Sequence, residues 1–102
     1  MNNFLCQTLI LLSGQSAPFT GNAINVARLR ENVFISYCSG AGGGVNLQYK
    51  SPFFENQWVD FYSFSSLGSG YSDSAYLDTP MTEIRAVCSG NGNFWCGCMG
   101  QN

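Results

Sequence analysis

Among the residue types that commonly carry chemistry, the 102-residue chain holds five cysteines, six carboxylates and four basic side chains, and it holds no histidine. The commonest general base and the commonest neutral metal ligand are therefore missing, which excludes Ser-His-Asp and Cys-His nucleophilic machinery. The cysteines are Cys6, Cys38, Cys88, Cys96 and Cys98, an odd number with no CxxC pair. Neither a complete disulfide framework nor a zinc site of standard spacing follows, and buried free thiols are expected. Cys96 and Cys98 alternate with Phe94, which reads as a core stripe rather than a redox or metal pair. Asp60, Asp73 and Asp78 lack the DxDxDG spacing of a calcium loop. Arg85 lies two residues from Glu83 on a strand-like stretch, an arrangement that suits an ion pair or a partner contact, and no nucleophile accompanies it. An enzyme would have to run on a carboxylate pair such as Asp60 and Glu83, whose proximity no spacing supplies. The expectation is no catalytic residue, no metal and no cofactor.

The elements that must position these residues are strands. VFISYC (33–38) and VNLQYK (45–50) alternate with period two, Val33, Ile35 and Tyr37 sharing one face and Val45, Leu47 and Tyr49 another. Between them SGAGGG (39–44) is tolerant of positive φ and reads as a hairpin turn, which would put Tyr37 in one core with Val45 or Leu47. QWVDFY (57–62) follows a break at Ser51-Pro52 and places Trp58 and Phe61 on opposite faces. TEIRAVC (82–88) and NFWCGCM (93–99) flank SGNG (89–92), where Asn91-Gly92 is a strong two-residue hairpin signal that would set Cys88 opposite Trp95. FLCQTLILL (4–12) has signal-peptide length but no basic residue before it, and it is too short to span a bilayer. As a strand it sets Phe4, Cys6, Thr8, Ile10 and Leu12 on one face and Leu5, Leu9 and Leu11 on the other, apolar on both sides. AINVARL (23–29) reads as a second strand ending in Arg28, Arg30 and Glu31, a solvated end or a small binding patch. SGQSAPFTGN (13–22) reads as turn, and FSSLGSGYSDSAYLD (64–78) as a long loop carrying Tyr71 and Tyr76.

Charged residues make up 10% of the chain against 15% aromatic, with a net charge of −2. Four basic residues give no footprint for nucleic acid or an anionic membrane surface. So few charges fit either a surface rich in Ser, Asn, Gln and Gly or one covered by partner subunits. Helical periodicity is absent. The expected architecture is all-β, one antiparallel β-sandwich or jelly-roll-like barrel of six to eight short strands over residues 1–102, with 1–12 a strand able to contact another subunit.

The order VNLQY (45–49), NQWVDF (56–61), DTPMTEIRAV (78–87) and a Gly-Asn-Gly turn resembles small β-sandwich virion proteins of tailed bacteriophages, over about residues 33–102. The cysteine stripe is foreign to that pattern. The resemblance implies a non-enzymatic assembly role in the virion after synthesis in the host cytoplasm. The role it implies first is capsid decoration, in which a homo-oligomer, often a trimer, clamps the major capsid protein at capsomer junctions. Tail and fibre modules share the pattern. Partner contacts are expected at Phe4, Leu9, Leu11, Phe53, Phe54, Tyr71 and Tyr76. The competing expectation is a tail or fibre module in which Trp58, Tyr62, Tyr71 and Tyr76 stack on a host glycan.

Overall fold

The structure, a computed structural model, describes residues 6–26, 30–77 and 83–101. Phe4, Arg28 and Asp78 lie outside them. Seven strands form one antiparallel sheet: β1 (Cys6–Ser16), β2 (Phe19–Thr20), β3 (Ile24–Asn25), β4 (Arg30–Ser51), β5 (Gln57–Leu67), β6 (Tyr71–Leu77) and β7 (Glu83–Gln101). Among the described residues the only helical element is a turn of 3-10 helix at Pro52–Phe54.

The two predicted hairpins do not exist. β4 is a single strand of 22 residues and β7 a single strand of 19, and they pair with each other from Arg30↔Gln101 to Tyr49↔Ile84. The glycine runs meet midway, in the register Gly42↔Asn91, Gly43↔Gly90 and Gly44↔Ser89. Gly40, Gly42, Gly90 and Gly92 adopt φ of 105° to 132°, which bends both strands without reversing either. The backbones approach so closely there that a Cβ on Gly43 would stand 2.0 Å from the Ser89 carbonyl oxygen, and one on Gly90 2.6 Å from the Gly43 Cα. What reads locally as two turns is one crossing, because each glycine run needs the other to be glycine.

This glycine line divides the sheet into halves. In the first half the far end of β7 pairs with β1 and the near end of β4 with β6; in the second, β7 pairs with β2 and β3, and β4 with β5. The halves curl over one core, to which Leu12, Phe34, Cys38, Phe94, Cys96 and Cys98 come from the first and Val45, Leu47, Phe64, Ile84, Ala86 and Cys88 from the second. Phe34 meets Phe61 edge-on across the layers, with ring centroids 6.1 Å apart. The all-β expectation holds, as does the inward Phe94, Cys96, Cys98 stripe.

Several local expectations are reversed. Along the near end of β4 the core face is Asn32, Phe34, Ser36 and Cys38, so Val33, Ile35 and Tyr37 lie on the outer face. Alternation alone could not choose between the phases, because both carry apolar residues, and burial of the large Phe34 decided it. Of the expected loop 64–78, the described residues 64–77 are not a loop; they are the end of β5, a turn and all of β6, tied to β4 by Gly70 N–H donating to the Cys38 carbonyl at 2.8 Å. β1 runs on through Ser16, and Phe19–Thr20 pairs with Cys88 and Val87, where turn was expected; within 23–29 only Ile24–Asn25 is strand among the described residues. A register shift between Ile10 and Leu12 turns Leu12 inward beside Leu11 and away from the face of Ile10.

Candidate functional site

Two surfaces stand out, one at an end of the second half and one across the outside of the first. The first is the β4–β5 connection. Ser51 is fully buried, and its hydroxyl accepts from the Phe53 N–H at 3.2 Å while its carbonyl accepts from the Asn56 N–H at 2.9 Å. Pro52 opens the 3-10 turn, and Glu55 and Asn56 close it in the left-handed region at φ 54° and 60°. The result is a braced tip that holds Phe53 89% and Phe54 59% exposed. Beside it lies an open cleft of about 640 Å³ lined by Phe53, Phe54, Glu55, Gln57, Trp58 and Val59.

Trp58 continues into a polar row on the same outer face. Arg85, Gln48 and Asp60 stand directly opposite one another on β7, β4 and β5. Arg85 Nε donates to Gln48 Oε1 at 2.7 Å, and Gln48 Nε2 donates to Asp60 Oδ1 at 2.8 Å. The Arg85 guanidinium lies 4.3 Å from the Trp58 ring centroid. Arg85 is thus engaged by Gln48 and Trp58 instead of the expected Glu83, and the row orients Trp58 without presenting a nucleophile.

The second surface is the outer face of β1, β7, β4 and β6. Ile10, Ile35, Tyr37, Trp95 and Tyr76 all lie on it and are 63%, 37%, 38%, 38% and 60% exposed. Tyr37 and Trp95 pair across strands with ring centroids 5.4 Å apart. Gly97 pairs with Ile10 on one side and Ile35 on the other, and without a side chain it floors a dimple of about 250 Å³ walled by Ile10, Ile35, Tyr37 and Trp95. No charged residue among the described ones lines it.

Of the expected contact residues, Phe53, Phe54, Tyr71 and Tyr76 are exposed, whereas Leu9 is half-buried against the core and Leu11 lies within it at 5% exposure. Phe4 lies outside the described residues. The four aromatics expected to gather on a glycan do not converge: Trp58 borders the tip, Tyr62 packs edge-on against Phe64 at 4.9 Å, and Tyr76 belongs to the other half of the sheet. Ile10, Ile35, Tyr37 and Trp95 were missed as surface residues. Trp95 was legible, since it alternates against the inward Phe94 and Cys96; Ile35 and Tyr37 were not, for the phase ambiguity already described.

The thiols of Cys38, Cys88, Cys96 and Cys98 are free and buried. Desolvation lifts Cys96 from 9.0 to about 11, tempered by the nearby Ser36 hydroxyl and reinforced by Cys98. Desolvation likewise lifts Cys98 to about 11 and raises Cys88, so these three are protonated at neutral pH and poor nucleophiles. The Ser36 hydroxyl makes no hydrogen bond of regular geometry, and neither polar atom of the fully buried Asn32 has a partner. Among the described residues no three His, Cys, Asp or Glu side chains cluster as metal ligands would.

No protein-family model matches the chain, and no curated protein matches it in sequence. Its fold is similar to that of the SPBc2 prophage-derived protein YomS, with a TM-score of 0.73 at 10% identity, covering 100% of this chain and 97% of that one. It is also similar to part of the PBSX exported protein XepA, with a TM-score of 0.54 at 12% identity, covering 98% of this chain and 37% of XepA. The globular domain of zebrafish complement 1qA protein matches with a TM-score of 0.50 at 12% identity, over 93% of this chain and 94% of that one. At these identities the likeness is one of fold.

Proposed function

We propose that the chain is a non-enzymatic structural protein of a bacteriophage particle, and specifically a capsid decoration protein that assembles as a homo-oligomer, trimeric by preference, and binds the major capsid protein at capsomer junctions. The observation that carries this reading is the exposure of large apolar side chains on firmly held supports: the braced Phe53-Phe54 tip and the five-residue apolar face around Gly97. A monomer has no use for rigidly displayed phenylalanines, whereas burial against a neighbour returns about 25 cal/mol per Å² before association costs. Fold likeness to the SPBc2 prophage-derived protein YomS supports the phage setting. Several attachment points per oligomer then make individually weak contacts cumulative.

Co-sedimentation with undecorated phage shells tests it. Wild-type protein pellets with shells and saturates, and F53S/F54S loses that binding while remaining folded; wild-type protein that stays in the supernatant at every concentration overturns the reading. Deleting residues 1–12 is not a usable test, because Leu11 and Leu12 belong to the core. The cleft beside Trp58 favours a second reading, a tail or fibre module that seats a host glycan between Phe54 and Trp58 near Glu55 and Gln57. Titration with host surface polysaccharide decides that reading, and absence of saturable binding removes it.

A further inference from the structure

The tip and the dimple are complementary, and we propose that they are the two sides of one contact: Phe53 of one copy, with Phe54 beside it, enters the Gly97 dimple of the next copy. The contact rests on the homo-oligomeric part of the preceding proposal and not on any particle. The dimple holds about 250 Å³, and a space of roughly 150 Å³ already accommodates a benzene ring. Its walls include Ile10, Ile35, Tyr37 and Trp95, which offer aliphatic and aromatic contacts to a phenyl ring, and the described residues that line it carry no charge. A chain cannot fill its own dimple, because the tip ends the second half of the sheet and the dimple lies outside the first.

Size and shape also decide against the simpler arrangement in which two apolar faces stack symmetrically. Two dimples brought face to face would enclose a void at the centre of the interface, and voids are costly. A knob fills what a second dimple leaves empty. Taking about 200 Å² per aromatic side chain, Phe53 and Phe54 at 89% and 59% exposure offer roughly 300 Å², and the exposed parts of the four wall residues offer at most a similar area. The total, roughly 600 Å² at most, is half the lower bound for a stable specific interface, about 1,200 Å². One contact therefore does not make a lasting dimer. A head-to-tail contact, however, gives every chain one knob and one dimple in use, and closure into a ring doubles the area buried per chain. Assembly should pass directly from monomer to closed ring with little dimer.

The test uses the full chain without any particle. F53S removes the knob at an exposed position, and G97V fills the dimple, since a Cβ on Gly97 meets only the Leu9 carbonyl oxygen at 3.5 Å. Solution mass measured across concentration should show a closed oligomer for wild type, with each variant weakened at least about tenfold. Labelled F53S, whose dimple is intact, is then titrated with G97V, whose knob is intact. The Trp95 indole resonance should shift progressively as G97V is raised to millimolar concentration and short-lived, single-contact mixed pairs form, with no growth beyond pairs. A wild-type chain that stays monomeric to millimolar concentration, an oligomer indifferent to F53S, or a mixture with no Trp95 shift each overturns the proposal. If the rings form but ignore phage shells, the self-contact stands and the decoration reading falls.

Discussion

Alanine scanning of four glycines separates a crossing of two long strands from two independent hairpins. Gly68 has no positive φ and no atom within 4 Å of an added Cβ, so Gly68→Ala should be neutral or stabilising by up to about 1 kcal/mol through the unfolded chain. Gly70 stands in equally open space but at φ +71°, so Gly70→Ala carries only the backbone term, about 1–2 kcal/mol. Gly43 has no positive φ, yet its Cβ would lie 2.0 Å from the Ser89 carbonyl oxygen and 2.9 Å from the Gly90 Cα. No flexible side chain is there to move aside, so the strands must part, and Gly43→Ala should cost about 3 kcal/mol or more, the upper range for overpacking. Gly90 combines φ +105° with contacts of 2.6 Å to backbone, so Gly90→Ala adds the strain and the steric terms to about 4–5 kcal/mol. Against a total stability of about 5–15 kcal/mol, that variant is marginal. Urea unfolding with an unchanged m-value reads each difference. Hairpin loops would tolerate Ala at Gly43 as readily as at Gly68, so equal midpoints for those two variants would refute the crossing.

Four further outcomes follow from the interior and the outer row. Cys96 ionises at 9.0 when unfolded and at about 11 when folded, so its contribution is intact below pH 9 and is lost as the pH climbs toward 11, on the order of 2–3 kcal/mol; chemical unfolding at pH 8 and pH 10.5 should show the decline, and a Cys96→Val variant should show less of it. Native protein at pH 7.5 should react with a thiol reagent at Cys38, Cys88, Cys96 and Cys98 only as fast as it opens. Asn32→Leu removes two buried polar atoms that lack partners, and thermal unfolding should find it as stable as wild type or more so by about 1–2 kcal/mol. Arg85→Met should cost about 1–2 kcal/mol by loss of the Gln48 hydrogen bond and the Trp58 stack, with Arg85→Lys recovering only part, which urea midpoints and Trp58 fluorescence would report.

The sequence by itself determined the class of the fold and the face of many strands. Alternation put Val45 and Leu47 inward against Asn46 and Gln48, set Trp58 and Phe61 on opposite sides, and assigned Phe94, Cys96 and Cys98 to the core, because period two and apolar burial are local properties of a strand. Phe53 and Phe54 were legible as contact candidates without alternating context, but adjacency suggests that one packs inward, and it took the 3-10 turn after Ser51 to expose both. Tertiary structure alone decided the rest. Whether a glycine run turns or crosses depends on what lies opposite, and the partner of Gly43 is Gly90, 47 positions away. Which of two apolar phases of β4 faces inward depends on where Phe34 can meet Phe61 from another strand. The dimple at Gly97 exists only because β1 and β4 bring Ile10 and Ile35 to either side of a residue with no side chain. Non-local pairing creates each of these features, and no window of sequence shorter than the pairing contains it.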